Sequence, residues 1–316
     1  MRTTFLFALF GLLACAGMVQ AGELQVTQEG TVFRVESPFY RLAINTARGA
    51  AVRSFIYKPF DPAKEWVYPV GGGLCEDMIW QQGHPGELQD YPYEYKVLEQ
   101  TPRIFRLEAW RAFQRDPYPG LIMRKVYTLT ENSPAIRVTM TLENPSQKEM
   151  FPGVWIQNRM FCGGNKGVQV AFRPSYLGIR MAYVDTGRSM GDDFVRKPAA
   201  GWAMTFDRDS GAGMLSLMDF NYLQMHYTCM PAYTNEWFYD RVLIQPGKSW
   251  TTQYMLVPVK DVKNCYYGDP DLYVTADQQG EQLTFNARAT DAPLPEVAIA
   301  VRAEKADRSG TLGETS

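Results

Sequence analysis

Residues 128–158, TLTENSPAIRVTMTLENPSQKEMFPGVWIQN, carry the clearest secondary-structure signal of this 316-residue chain. From Ala135 to Glu143, apolar side chains alternate with polar ones, which is the period of a strand with one buried face. Residues 144–146, Asn-Pro-Ser, then end the strand, because these residue types favour turns. The stretch therefore predicts a β-strand and a turn that leads into a further strand.

Similar strand-like runs follow one another along most of the chain, and Gly, Pro, Asn and Asp separate them. No stretch of a dozen residues has the 3.6-residue period of an amphipathic helix. Many regularly spaced short strands are typical of a large sandwich or barrel, so the sequence predicts an all-β fold. The other predicted strands are Val32–Glu36, Tyr40–Asn45, Ala51–Tyr57, Arg103–Phe113, Leu121–Thr130, Gly167–Phe172, Gly201–Phe206, Gly213–Met218 and Ser249–Val259.

Two segments lack this alternation. Trp66–Tyr95 is rich in Gly, acids and aromatic residues, which predicts a long loop over the sheet of the kind that often carries function. Thr186–Ala200 is predicted to be irregular as well. The acidic pairs in these segments, residues 76–77 and 192–193, lack the spacing of a known calcium loop.

The N-terminal segment, residues 1–21, has the composition of a secretory signal. One Arg precedes a ten-residue apolar run, and Val19 and Ala21 supply the small residues of a cleavage site. In the alternative that the sequence leaves open, Leu12–Cys15 is a lipoprotein box and Cys15 carries a lipid. We expect a secreted or periplasmic protein, or an outer-membrane lipoprotein in the second case, without a later transmembrane segment.

Downstream of the signal, the pattern divides the chain into three parts. Residues 22–260 form the predicted main β domain, 261–270 a linker, and 271–316 either the opening of a small β domain or a disordered tail. Strand-like pieces lie at 272–275, 282–286 and 297–301. Three such strands bury too little to be stable alone, which favours a chain that continues beyond residue 316.

The composition excludes several classes of function. A net charge of −2 gives no electrostatic case for nucleic acid. Two histidines exclude a multi-histidine metal centre, and without a P-loop or dinucleotide motif we expect neither metal nor cofactor. After the signal, four cysteines remain, which permit two disulfides or free buried thiols; these are Cys75, Cys162, Cys229 and Cys265.

A second informative stretch is 233–250, YTNEWFYDRVLIQPGKSW. If residues 246–247, Pro-Gly, close a hairpin, Trp237 and Tyr239 lie on an apolar core face and Leu243 meets Trp250. Glu236 then lies on the opposite face among apolar groups, as on the wall of a cleft. There its pKa could be raised enough for a general base or acid, unless it forms a salt bridge with a neighbour such as Arg241.

The remaining candidates suit a sugar, because C–H patches of sugars stack on aromatic rings while their hydroxyls bind amides, acids and Arg. His84 and His226 are candidate acids, although each could equally be a histidine without a catalytic task. The aromatic residues could instead only pin the loop. The candidate substrate-binding residues are Trp80, Glu87, Tyr91, Tyr93, Trp155, Gln157, Asn158, Arg159 and Trp237.

Three pieces of sequence carry a resemblance to a known family. They are the 128–158 stretch, the Gly-rich segment GGGLCEDMIWQQGHPG, and NEWFYDRVLIQPGKSWTTQYMLVP. Together they resemble the galactose-mutarotase-like superfamily over residues 24–260. The resemblance implies a large antiparallel β-supersandwich, a carbohydrate ligand, and Glu236 in the place of the base that acts on the anomeric hydroxyl. At the place of the acid histidine this sequence has Gln157, so His84 or His226 would have to replace it.

The sequence thus predicts an exported carbohydrate-binding protein or domain, in a system that processes oligo- or polysaccharides. The first alternative is an enzyme, either an aldose-epimerase type that uses Glu236 or a component of a lyase or hydrolase. The second is a non-catalytic structural module of the cell envelope.

Overall fold

The computed structural model describes residues 22–69, 71–185, 188–189, 191–229, 232–280, 282–290, 304–306 and 312–314. These residues form antiparallel strands and three short 3-10 helices, Trp80–Gln82, Cys162–Gly164 and Phe220–Tyr222. The predicted all-β fold class is confirmed. The signal segment with Cys15 and the predicted strand at 297–301 lie outside the described residues.

The strands in chain order are β1 (Gln25–Glu29), β2 (Val32–Glu36), β3 (Tyr40–Asn45), β4 (Ala51–Tyr57), β5 (Glu76–Ile79), β6 (Glu94–Gln100), β7 (Ile104–Ala112), β8 (Ile122–Thr130), β9 (Ile136–Glu143), β10 (Val154–Arg159), β11 (Gln169–Ser175), β12 (Gly178–Asp185), β13 (Arg188–Ser189), β14 (Asp192–Arg196), β15 (Trp202–Asp207), β16 (Gly213–Met218), β17 (Leu223–Cys229), β18 (Thr234–Tyr239), β19 (Ser249–Val259), β20 (Tyr267–Gly268), β21 (Leu272–Gln279), β22 (Gln282–Ala289), β23 (Glu304–Ala306) and β24 (Leu312–Glu314).

Two large sheets form the main layers. The larger has ten strands in the order β13-β12-β11-β15-β16-β19-β9-β8-β7-β6, and the other has five in the order β14-β17-β18-β10-β5. The first four strands form a separate meander, β1-β2-β3-β4, whose apolar side chains join the same core. Ile156 and Trp237 of the five-stranded sheet share that core with Met140 and Leu256 of the ten-stranded sheet. The five-stranded sheet therefore has one face in this core, and its other face points away from it.

The predicted hairpin around Pro246-Gly247 is wrong. Strand β18 pairs with β10 and β17, whereas β19 pairs with β9 and β16 of the other sheet. Trp237 is nevertheless in the core, because its ring meets Tyr254 across the layers at a centroid distance of 5.2 Å. Leu243, which the hairpin would have buried, is 55% exposed. The prediction of the core face of β18 agrees with the structure, but the prediction of the strand that pairs with β18 does not.

Both segments predicted to be irregular contain a strand. Strand β5 is hidden in the sequence because all four of its residues are buried, two of them as the acids Glu76 and Asp77. Strand β14 alternates in burial, but two of its five residues break the polarity pattern, since the acid Asp193 points inward beside Val195 and Phe194 points outward. Alternation of apolar and polar letters cannot reveal a strand whose buried face carries charge.

A buried ion pair connects the two layers. Lys125 of β8 lies 2.5 Å from Asp77 of β5, and neither side chain is exposed to solvent. The Lys125 ammonium also donates to the backbone carbonyl of Cys75 at 2.9 Å. Because a buried charge without a partner costs several kcal/mol, the pair fixes how β5 and β8 face each other.

The four cysteines that follow the N-terminal segment form no disulfide bonds and are free thiols. Cys75, Cys162 and Cys265 are buried. Burial raises the pKa of Cys75 to about 12, so this thiol does not act as a nucleophile at neutral pH.

The C-terminal part begins with a three-stranded sheet, β20-β21-β22. Val262 and Cys265, within the predicted linker, are fully buried beside Trp202 and Tyr273 in a second apolar core. The segment is therefore packed against the ten-stranded sheet rather than exposed. The described residues contain no helix that is long and apolar enough to cross a membrane.

Breaking the buried pair should destabilise the fold strongly. We expect Asp77→Leu to lower the free energy of unfolding by about 3–5 kcal/mol, because it leaves the Lys125 charge unpaired. The double variant Asp77→Leu/Lys125→Met should recover most of this loss in urea denaturation. In the exposed pair of Arg34 and Glu29, Arg34→Met should cost less than about 1 kcal/mol. A double variant no more stable than Asp77→Leu alone would contradict this explanation.

Candidate functional site

The outward face of the five-stranded sheet carries a row of side chains, one from each strand. In the order of the strands they are Phe194, Tyr227, Glu236, Gln157 and Glu76, each directly opposite the next in the strand pairing. Since side chains at positions i and i+2 share a face, neighbouring rows lie on the same surface. The row brings together residues as far apart in the sequence as Glu76 and Glu236.

Glu236 lies at the centre of this row and is fully buried. The indole Nε1 of Trp155 donates a short hydrogen bond to its Oε2. Its Oε1 makes no hydrogen bond of good geometry within the described residues. Burial raises the pKa of Glu236 to about 7, although hydrogen bonds from Thr234, Gln157 and Trp155 oppose the rise. At neutral pH the carboxyl group can therefore either accept or donate a proton.

An amide and a guanidinium group lie beside Glu236. Gln157 Oε1 accepts hydrogen bonds from Gln89 Nε2 and from Arg159 Nε, both at 2.9 Å. Arg159 Nη2 in turn lies 2.8 Å from His84 Nε2. Burial and the charge of Arg159 lower the pKa of His84, so the neutral ring accepts this hydrogen bond. These contacts join the loop that carries His84 to the sheet that carries Glu236.

The far end of the row is fixed by an ion pair. Arg53 of β4 lies 2.6 Å from Glu76 Oε1, and Gln89 Nε2 donates to Glu76 Oε2 at 2.9 Å. Gln89 therefore links Glu76 to Gln157. The orientation of the Gln157 amide follows from this network, and its carbonyl oxygen points at its donors rather than at a ligand.

A cavity of about 460 Å³ opens beside His84. Tyr91 and Arg115 line it, and Arg115 Nη2 donates to the Tyr91 hydroxyl at 2.6 Å. Glu87 also lines it but is buried, and its carboxylate accepts from the backbone N–H of Gln114 at 3.0 Å. Glu87 therefore holds the loop in place, while Tyr91 and Arg115 are free to contact a ligand.

The structure does not bring His226 to Glu236. His226 precedes Tyr227 on β17 and points to the opposite face, where it is fully buried opposite Trp237. Burial lowers the pKa of His226 to about 3, so the ring is neutral at physiological pH. Of the two candidate acids, only His84 lies on the outward side of the sheet.

Several other candidates also lie away from the outward face. Asn158 and Trp237 point into the core with Tyr93. Asn158 Oδ1 accepts from the backbone N–H of Cys75 at 2.9 Å, which gives it a structural task. The candidates that remain on the outward side are Trp155, Gln157 and Arg159 of β10, Glu236 of β18, and His84 and Tyr91 of the loop.

Trp80 lies at the border of the site. It donates to the carbonyl of Tyr239 at 3.3 Å and covers Gly153, where a Cβ would lie 1.8 Å from its Nε1. Arg241 lies over the Trp80 ring, 5.0 Å from the centroid, rather than in a salt bridge with Glu236.

Three further rings lie on this face that the sequence did not single out as candidates, Phe194, Tyr227 and Phe238. The Phe238 ring stacks on Trp155 at 4.7 Å, and the Phe194 ring stacks on Tyr227 at 4.5 Å. The position of Phe238 two residues after Glu236 was the available signal. Across the ranges that the structure describes, no group of three or more His, Cys, Asp or Glu side chains converges to hold a metal ion.

Comparison with solved structures identifies the fold. A galactose mutarotase-like protein from Clostridium acetobutylicum aligns with 75% of this chain and 99% of its own, at a TM-score of 0.55 and 9% identity. The Slr1438 protein from Synechocystis sp. aligns with 74% of this chain and 97% of its own, at a TM-score of 0.53 and 15% identity. The predicted galactose-mutarotase-like β-supersandwich is confirmed.

A TPR-domain containing protein from Parabacteroides distasonis has the same fold in part of its length. It aligns with 72% of this chain at a TM-score of 0.56 and 11% identity, and this chain spans 47% of it. No family model matches the sequence, and no curated protein matches it.

The raised pKa of Glu236 makes stability depend on pH. The folded state holds the proton more tightly than the unfolded chain, whose pKa is near 4.5. The resulting stabilisation is complete below pH 4.5 and is lost as the pH rises to about 7, by about 3 kcal/mol for the fully buried group. We expect Glu236→Gln, which mimics the protonated acid, to remove this slope in urea denaturation between pH 4.5 and 8.

The exposed Glu149 supplies the control, since Glu149→Gln should leave the slope as it is in the wild type. Equal slopes in the wild type and in Glu236→Gln would show that the pKa of Glu236 is not raised.

Proposed function

We propose that this protein binds carbohydrate on the outward face of its five-stranded sheet. The observation that carries the proposal is the contact of the buried acid Glu236 with the half-buried ring of Trp155. The face of the ring that is turned away from Phe238 can stack on the C–H face of a sugar, and a hydroxyl reaches the buried carboxyl group when the ring moves aside. Arg159 and His84 add hydrogen-bonding groups at the same place.

The fold supports the same class of ligand. The similarity to a galactose mutarotase-like protein, at 9% identity, is a likeness of fold alone. The choice of a sugar as the ligand therefore depends on the side chains of the site. Because residues 1–21 have the composition of a secretory signal, we propose that the protein is exported. We further propose that it takes part in the processing of oligo- or polysaccharides. The exposed His84 and the half-buried Trp155 on one surface speak against a purely structural module.

Binding should depend on the ring and on the acid. In saturation-transfer NMR with galactose and glucose, we expect Trp155→Ala to weaken binding roughly tenfold, because the stacking surface is lost. Glu236→Gln keeps the shape but removes the charge and should weaken binding at pH 8 more than at pH 5. Tyr176→Ala changes a 75% exposed ring in the turn after β11 and should have no effect.

If neither Trp155→Ala nor Glu236→Gln alters the binding of any sugar, the ligand lies elsewhere. If no sugar binds the wild type, the proposed function is wrong.

A second candidate function is aldose epimerisation. The pKa of about 7 at Glu236 favours it, since such a group can remove the proton of an anomeric hydroxyl. Gln157 occupies the place expected for the acid and cannot donate and recover a proton. His84 lines the neighbouring cavity, and it would protonate the ring oxygen only after it takes up a proton and loses the hydrogen bond from Arg159, because its lowered pKa leaves the ring neutral here.

Exchange spectroscopy of the α and β anomers of galactose tests this activity directly. An epimerase should accelerate exchange, and Glu236→Gln should lower the enzymatic rate by at least about 100-fold. His84→Gln should also lower it, whereas Glu149→Gln should not. Exchange at the uncatalysed rate, in a protein that still binds galactose, would leave binding as the function.

A further inference from the structure

One buried glutamine that the sequence did not single out, Gln89, connects two groups of the site. It lies in the loop before β6 and is 3% exposed. Its Nε2 donates to Glu76 Oε2 and to Gln157 Oε1, both at 2.9 Å. Because an amide nitrogen carries two N–H groups, one side chain can serve both oxygens at once. Gln89 therefore ties the position of Gln157 to that of Glu76.

The far side of Gln89 is anchored by charge and by close packing. Arg53 Nη1 lies 2.6 Å from Glu76 Oε1, and Arg53 Nη2 donates to the backbone carbonyl of Gln89 at 2.9 Å. Gly49 packs so closely on this carbonyl that a Cβ at residue 49 would lie 2.3 Å from its oxygen. A carboxylate paired with an arginine accepts hydrogen bonds and does not donate them. The nitrogen of the Gln89 amide, and not its oxygen, therefore faces Glu76.

The amide of Gln157 can take only one orientation between its neighbours. Its Oε1 accepts from Gln89 Nε2 and from Arg159 Nε, each at 2.9 Å. A guanidinium group has no acceptor, so the reversed amide would place N–H groups against N–H groups. The N–H2 group of Gln157 is thus left for Glu236, which lies directly opposite in the strand pairing. Burial raises the pKa of Glu236, and a hydrogen bond from Gln157 is one of the effects that oppose the rise.

This arrangement gives a direction to the hydrogen bonds of a ligand. Gln157 offers a donor, and the ionised Glu236 offers Oε1, which makes no hydrogen bond of good geometry within the described residues. A sugar hydroxyl between them accepts from Gln157 and donates its proton to Glu236. The reversed Gln157 amide would place two oxygens on the same hydroxyl, which has only one proton to donate.

We infer that Gln89 is a positioning residue of this site, which holds the N–H2 group of Gln157 toward Glu236 and so sets the direction in which a sugar hydroxyl donates. Gln89 acts through Gln157, because its own N–H groups are taken up by Gln157 and Glu76. For the ligand, this rests on the proposed carbohydrate function, whereas the orientation of the amide does not depend on it.

Urea denaturation between pH 4.5 and 9 tests the orientation of the amide. Gln89→Met removes the donor at similar size, so Gln157 no longer holds its N–H2 group on Glu236. The loss of stability with rising pH, which ends at about pH 7 in the wild type, should then continue to a pH that is higher by roughly one unit. The reason is that Glu236 loses a hydrogen bond that favours its ionised form.

Gln169→Met is the matched control. Gln169 is also 3% exposed and also donates to a carboxylate, that of Asp207, at 3.1 Å, but it is not joined to Gln157. This variant should lower stability at every pH and leave the end of the slope at about pH 7. An unchanged end of the slope in Gln89→Met, as in Gln169→Met, would show that Gln89 has only a structural role.

A second background shows whether the effect passes through Gln157, since Gln89 also donates to Glu76. In Gln157→Met, the further change Gln89→Met should not move the end of the slope. A shift of the same size in that background would come from Glu76 and would overturn the inference. The other ionisable groups around Glu236 are kept in all these variants; they are Arg159 of β10, Tyr227 and Cys229 of β17, and His84 of the loop.

The wild type supplies a measurement that does not depend on how Gln89→Met folds. The side-chain amide NMR signals of Gln157, identified by their loss in Gln157→Met, should shift near pH 7 as Glu236 ionises. Signals of Gln157 that do not follow this titration would mean that its N–H2 group does not face Glu236, which overturns the inference.

Saturation-transfer NMR with galactose separates this role from the proposed function. When the wild type binds galactose, Gln89→Met should weaken binding roughly tenfold at pH 8, and Gln169→Met should not. Equal binding by the wild type and Gln89→Met overturns the role of Gln89 toward the ligand and leaves the sugar function. If no sugar binds the wild type, the proposed function is wrong, and the pH dependence decides whether Gln89 positions Gln157.

Discussion

The packing of the five-stranded sheet on the ten-stranded sheet is the constraint on which the other features depend. One face of β18 and β10 is committed to the core through Trp237 and Ile156. Because successive side chains of a strand point to opposite faces, Glu236 and Trp155 then lie on the other face of the sheet. The buried pair of Lys125 and Asp77 adds a fixed point, since only one relative position of the layers pairs both charges.

The raised pKa of Glu236 follows from the position of this residue in the sheet. It lies on β18, the middle strand of five, so neighbouring strands on both sides exclude water from its carboxyl group. Tyr227 and Gln157 flank it in the pairing, and Trp155 covers it with an N–H donor rather than with a charge. The charge of Arg159 lowers the pKa of Glu236, but it is the smallest of the causes, and burial outweighs it, so the carboxyl group keeps its proton near neutral pH.

A protein that is 9% identical to this chain has the same fold, and a shared fold does not assign a chemistry. In this chain Gln157 belongs to a network with Gln89, Glu76 and Arg159, which holds the amide in one orientation. The network therefore fixes the amide of Gln157 relative to the carboxyl group of Glu236.

Local sequence determined the strands and their faces. It gave the bounds of Val32–Glu36 and Ser249–Val259 as the structure has them, and it placed Trp237 inward and Glu236 outward, because alternation is a property of adjacent residues. Tertiary structure alone decided which strands pair, that His226 faces away from the site, and that β5 and β14 exist despite their buried acids. The physical reason is that pairing and charge burial depend on partners far away in the chain, such as Lys125 for Asp77.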